Sequence, residues 1–147
     1  LPFKIKIKII PEKPILKKDK PILTDQKIET QEIIKEFTLQ RQYLKLIETG
    51  LKTAEGRINS GGFAKLEVGS KVKFFEKNNP KNYVICEVLE IKSYLTFREM
   101  LESEGVENML PGITSLEEGV QIYEKISGYR ERCQKSGCLG LKIRVLS

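Results

Sequence analysis

Gly50-Leu51-Lys52-Thr53-Ala54-Glu55-Gly56-Arg57 sets two cations and a carboxylate within six residues, directly after a glycine that ends a helical pattern. Upstream, Tyr43, Leu44, Ile47 and Leu51 recur near helical spacing, and Gly50 falls where a C′ residue stops a helix. Downstream, Thr53 to Ile58 reads as a strand. Glu55 and Arg57 then share one strand face, whereas Lys52 has the opposite parity and joins them only from the turn. The chain contains no histidine, so any proton transfer would fall to Lys, Glu, Asp, Tyr or Cys.

A lysine in water has a pKa of about 10.4, and using it as a base near neutrality costs about 4 kcal/mol. A pocket lowers that cost by desolvating the ammonium or by setting a second cation, here Arg57, beside it; a nearby carboxylate such as Glu55 pulls the other way. The bland alternative is a solvated Lys52 with a surface Glu55–Arg57 pair worth under about 1 kcal/mol. Both readings stand on the residues alone.

The rest of the chain suggests about five or six short strands and three or four helices. Residues 4–10 alternate Lys and Ile as a basic edge strand, and Pro11, Pro14 and Pro21 mark an extended connector over 11–24. Residues 25–36 carry a weak helical pattern. Residues 71–76 and 83–91 read as strands joined by a turn at 78–82, and Leu139–Leu146 as a closing strand. Thr96 with Glu99, and Ser115 with Glu118, have capping-box spacing at two helix starts, and Gly128 is placed to end the second helix. Strands and helices without a βαβ rhythm imply an α+β fold with a mixed or barrel-like sheet.

At 147 residues the chain suits one domain, read as residues 39–147 behind an N-terminal extension over 1–38. The net charge is +6 but alternates along the chain: residues 1–20 hold seven Lys against Glu12 and Asp19, and the acidic excess lies in 82–124. Residues 41–81 and 125–147 can form one basic face, which suits a nucleic-acid partner better than uniform coating does. No apolar run approaches the roughly 20 residues of a membrane span. Cys86, Cys133 and Cys138 cannot all pair within one molecule and have poor zinc spacing, so neither metal nor cofactor is expected. Reduced thiols point to an intracellular setting, cytoplasmic or nuclear.

Gly50-x-Lys52-x-x-Glu55-x-Arg57 resembles the signature of the ASCH (activating signal cointegrator homology) domains of the PUA-like superfamily. Supporting features are the helix Tyr43–Thr49, Leu66-x-x-Gly69-x-x-Val72-x-Phe74, Phe97-x-x-Met100-Leu101, Leu110-Pro111-Gly112 and Glu117-Glu118-Gly119-x-x-x-Tyr123. The resemblance implies a PUA-like mixed β-barrel with flanking short helices and a cleft containing the motif. It also implies RNA or modified-nucleoside recognition. One bacterial branch hydrolyses N4-acetylcytidine, and by resemblance to it Lys52, Glu55 and Glu118 are the catalytic candidates. Arg57, Gly50, Tyr43 and Tyr123 are the ligand-binding ones. Glu55 stands where that branch has a threonine, and a carboxylate is neither a hydroxyl donor nor neutral, so recognition is favoured over hydrolysis. The family's range also includes weak metal-independent ribonuclease activity. Glu118 has a second reading as a capping-box partner of Ser115, and Phe63 and Tyr94 join Tyr43 and Tyr123 as possible stacking surfaces or core. Residues 1–38 are a candidate docking element for a protein partner.

Overall fold

The computed structural model describes residues 34–146. The alternating strand at 4–10, the connector at 11–24 and most of the weak helix lie outside the described residues. Among the described residues, five strands form one mixed sheet in the order β1-β3-β4-β5-β2: β1 (Ile34–Thr38), β2 (Ala54–Ile58), β3 (Lys71–Glu76), β4 (Asn79–Tyr94) and β5 (Cys138–Val145). Five helices pack around it: α1 (Arg41–Glu48), α2 (Phe97–Glu104), α3 (Val106–Met109), α4 (Leu116–Glu124) and α5 (Tyr129–Ser136). The α+β class is as expected.

Three local expectations are corrected. Residues 34–36 are strand, because β1 pairs in parallel with β3 and sets Phe37 opposite Phe74. Burying Phe37 against Phe63 and Phe74 outweighs the weak helical pattern, and the sheet thereby takes in the last five residues of the 1–38 segment. The β3–β4 turn is only Lys77-Asn78, since Glu76 already faces Asn79; an irregularity in the ladder there accommodates Pro80, which has no N–H to give. Gly128 does not end α4 but sits in the left-handed region (φ +78°) at the start of α5, a helix with no apolar stripe to announce it.

The sheet is open, which corrects the barrel expectation. Among the described residues β1 and β2 end the strand order and share no ladder. Instead the Arg57 guanidinium of β2 donates to the Thr38 carbonyl at the end of β1 at 2.7 Å, so one side chain spans the gap. β4 makes this curvature possible: its first half pairs with β3 and its second with β5, and a bulge between Val88 and Glu90 turns the strand between the two jobs. One apolar cluster fills the concave side beneath α1, around Phe37, Leu44, Phe74 and Leu141. A second joins β2 to the helices α2–α5 through Ala54, Ile58, Met100, Leu101 and Tyr123.

Half of each capping box forms: Thr96 Oγ1 accepts from the Glu99 amide at 3.1 Å and Ser115 Oγ from the Glu118 amide at 3.2 Å, while the Glu99 carboxylate takes the Leu95 amide instead of that of Thr96. Gly137, after α5, adopts φ +73° and ψ −171°, a region essentially reserved for glycine. A Cβ there would lie 2.6 Å from the Tyr94 carbonyl oxygen, which is backbone and cannot step aside. Gly137→Ala is therefore expected to cost about 1–3 kcal/mol or more, seen as a lower denaturation midpoint at unchanged m-value.

Candidate functional site

The octapeptide is shaped by the end of α1. Gly50 takes φ +83° and donates its amide to Ile47, as a C′ glycine does, and the Lys52 amide then reaches back to the Leu46 carbonyl at 2.9 Å. Thr53 is tied to α3 through the Asn108 carbonyl and to β5 through the Ile143 amide. Lys52 is thus anchored on the turn rather than in the strand, which lets it face Glu55 and Arg57 despite its opposite parity.

The three charges meet indoors. Lys52 is 2% exposed and Glu55 4%. The Lys52 ammonium contacts Glu55 Oε1 at 3.0 Å and donates to the Ala54 carbonyl at 2.8 Å and to the Met109 carbonyl. Its three N–H donors thus have three acceptors. The other Glu55 oxygen receives the Arg57 Nε–H at 2.7 Å. Arg57 lies over the rings of Phe63 and Phe74, its Cζ 4.7 and 5.6 Å from their centroids. The surface-pair alternative does not survive this burial.

Electrostatics follow from the same contacts. Burial pushes the Lys52 ammonium below its ordinary pKa; Glu55 opposes the shift and Arg57 adds to it. Burial by itself would raise Glu55, but Lys52 and Arg57 beside it outweigh that and hold its carboxyl below the usual carboxylate range. The nearby Cys86 thiol is pushed up to about 12, first by burial and then by the Glu55 charge, so it is inert.

The triplet forms the floor of a cavity of about 470 Å³ at the open seam of the sheet. Thr38, Leu39 and Gln40 line one side, and the hairpin residues Glu76, Lys77 and Asn78 another. Ile122, Tyr123 and Ile126, with Tyr129 and Leu110, close it from the helices; Tyr43 and Arg41 come from α1. Tyr123 is 4% exposed, lines this space, and its hydroxyl makes no hydrogen bond among the described residues. Burial raises its pKa well above the ordinary phenol value, so it enters the cavity as a neutral donor.

Of the residues singled out from sequence, Lys52, Glu55, Arg57, Tyr43 and Tyr123 come together here. Gly50 positions Lys52 but does not line the cavity. Glu118 is exposed on the first turn of α4, its amide held by Ser115, and also lies outside the lining. Phe63 supports Arg57 from below, and the Tyr94 hydroxyl faces Ser103 and Glu104 elsewhere. Sequence reasoning missed Gly56, Arg41, Lys77 and Tyr129. Gly56 did carry a signal: a mid-strand glycine marks close approach, and a Cβ there would lie 2.8 Å from the Tyr123 hydroxyl and 2.7 Å from Met100 Cε.

Among the described residues no group of three or more His, Cys, Asp or Glu could hold a metal ion, and no helix is long and apolar enough to cross a membrane. Removing one charge of the buried triplet strands the others. Glu55→Gln is expected to cost about 3–5 kcal/mol, with Lys52→Met/Glu55→Gln costing less than the sum of the singles; chemical denaturation of all three variants measures this. Between its folded and unfolded pKa values Glu55 binds fewer protons when folded. Its contribution is therefore complete above the unfolded carboxylate value and is lost as pH falls through the lower folded one. Acid titration of stability should show that loss in the wild type and not in Glu55→Gln.

Comparison with known proteins agrees with this architecture. The ASCH domain model matches residues 37–142. No curated protein matches the chain. The crystal structure of hypothetical protein PH0355 is 36% identical, with 76% of this chain and 97% of that one aligned and a TM-score of 0.67. The solution structure of protein PF0455 from Pyrococcus furiosus is 34% identical over 78% of this chain and 99% of that one, at a TM-score of 0.63. The ASCH protein from Zymomonas mobilis shares the fold at 13% identity and a TM-score of 0.52, with 76% and 66% of the two chains covered. On the span of the family match and the sheet and helices described above, the chain belongs to the ASCH domain family, with its PUA-like α+β fold.

Proposed function

We propose that the cavity recognises a nucleobase, in RNA or in a modified nucleoside, by binding without turnover. The observation that carries this is the pairing of a carboxylate and a guanidinium at the floor of a tyrosine-walled cavity. Glu55 keeps lone pairs beyond those engaged by Lys52 and Arg57. Arg57 uses Nε for Glu55 and one terminal nitrogen for Thr38, which leaves its other terminal N–H groups for a ligand. An acceptor beside a cationic donor matches a base edge that offers an amino group next to a ring nitrogen or carbonyl, as cytosine and adenine do. The volume lies within the usual range for a small-molecule site, and Tyr43 and Tyr129 line it with rings on which a base can stack, while the buried Tyr123 adds its hydroxyl.

The state of Lys52 favours binding over hydrolysis. A nucleophilic or basic amine must present a lone pair to the substrate, and here each N–H direction is already filled by a carbonyl or by Glu55. Glu118 has no part in this reading. One observation keeps the amidohydrolase alternative open to test: burial lowers the Lys52 pKa, the direction that a lysine nucleophile requires.

Titration by calorimetry with cytidine, adenosine and uridine monophosphates tests the binding reading. Cytidine or adenosine monophosphate is expected to bind, uridine monophosphate about tenfold more weakly, and Arg57→Ala to weaken the former by about 1–3 kcal/mol. Absence of saturable binding to any of the three removes it. Incubation with N4-acetylcytidine, read by chromatography, is expected to yield no more cytidine than a Lys52→Ala control; a clear excess would establish the hydrolase instead.

A further inference from the structure

Cys133 and Cys138 lie outside the cavity and share one apolar cluster, while Cys86 lies in the other. Cys133 stands in the last turn of α5, and Cys138 opens β5. Gly137 turns the chain between them, its amide closing the helix on the Cys133 carbonyl at 2.7 Å. Both side chains thereby return to the same short stretch of backbone. The Cys133 thiol donates to the Leu95 carbonyl at 3.7 Å, and the Cys138 thiol to the next carbonyl, that of Thr96, at 3.5 Å. Hung from successive peptides, the two sulfurs are also hydrogen-bonding neighbours of each other. Among the residues of α5, Cys133 alone is buried. A helix with no apolar stripe is thus moored to the sheet at a thiol. Tyr129, one turn earlier on the same helix, is part of the cavity wall.

We propose that Cys133 and Cys138 form a modification site, a dithiol that a small disulfide converts into a reversible intramolecular disulfide, pinning α5 to β5. The exchange takes two steps. The Cys133 thiolate, its proton given to solvent, attacks one sulfur of the small disulfide; a mixed disulfide forms on Cys133 and one small thiolate leaves. The Cys138 thiolate, likewise deprotonated, then attacks the Cys133 sulfur, and the second small thiolate leaves. Two protein thiols are oxidised, one small disulfide is reduced to two thiols, and the two protons end on the leaving thiolates. Burial sets the order: Cys133 keeps 6% exposure and Cys138 none. Burial also raises both thiol pKa values, that of Cys138 further, so thiolates are scarce and the exchange is slow. The adjacent Cys138 sulfur resolves the mixed disulfide, and Cys86, in the other cluster, takes no part. The covalent bond replaces two weak S–H contacts at the end of the helix that carries Tyr129, so the thiol state governs how freely this wall of the cavity moves.

The test incubates the full chain with oxidised glutathione, blocks the remaining thiols with iodoacetamide and digests with trypsin. Two of the three thiols are expected to disappear, with residues 133–135 recovered joined to residues 136–142 and Cys86 alkylated; dithiothreitol should restore all three. Amide hydrogen exchange over residues 129–136 is expected to slow about tenfold in the oxidised chain. The same oxidant should leave that exchange unchanged in Cys133→Ala/Cys138→Ala. Three thiols left intact, a separate glutathione on each of the two cysteines, or a bond joining two chains would overturn the proposal. Equal exchange in the oxidised and reduced chains would overturn the pinning of α5, and so would a slowing that persists in the double variant.

Discussion

The buried contact between the Lys52 ammonium and the Glu55 carboxylate, extended by Arg57, is the constraint around which the seam of the sheet is arranged. An unpaired charge at such a depth is costly, so each group must stay within reach of the others. Holding them there fixes the turn after α1, the last residue of α3 and the strand β2 relative to each other, because Lys52 grips the carbonyls of Ala54 and Met109 at the same time. The triplet is thus both a structural rivet and the polar floor of the cavity. These roles are compatible because Lys52 spends its donors inward, while Glu55 and Arg57 keep bonding capacity toward the cavity.

Much of this was legible in the octapeptide. Gly50 as a helix stop and Glu55 with Arg57 on one strand face follow from local spacing, and the structure has each in that place, whereas spacing left the position of Lys52 open and the structure puts it on the turn. Burial was not legible, since it depends on partners far away in the chain: Thr38 reaches Arg57 from nineteen residues upstream, and Tyr123 and Tyr129 arrive from helices that follow. The two N-cap bonds were readable because they involve residues three apart.

The parts that misled have a common cause. β1 is a strand because β3 lies alongside it, not because its own residues insist on it, and Phe37 gains more from Phe63 and Phe74 than a weak helix could offer. α5 has almost no apolar face and is bounded instead by Gly128 and Gly137, two glycines whose backbone angles carry the chain in and out. Arg41 and Lys77 are ordinary exposed cations by sequence; what distinguishes them is the hollow they border. Glu118 shows the converse. Its sequence context allows either a capping or a site role, and the structure sets it exposed on the first turn of α4, with only its amide held by Ser115.

The hydrogen bond from Arg57 to Thr38 has one more consequence. A ladder of amides would have welded the two sheet edges; a lone guanidinium acts as a hasp. Because that same planar fork borders the cavity, any occupant that grips its remaining nitrogens also damps relative motion of the first and second strands. A ligand held by those nitrogens would therefore bear on the same side chain that ties the first strand to the second.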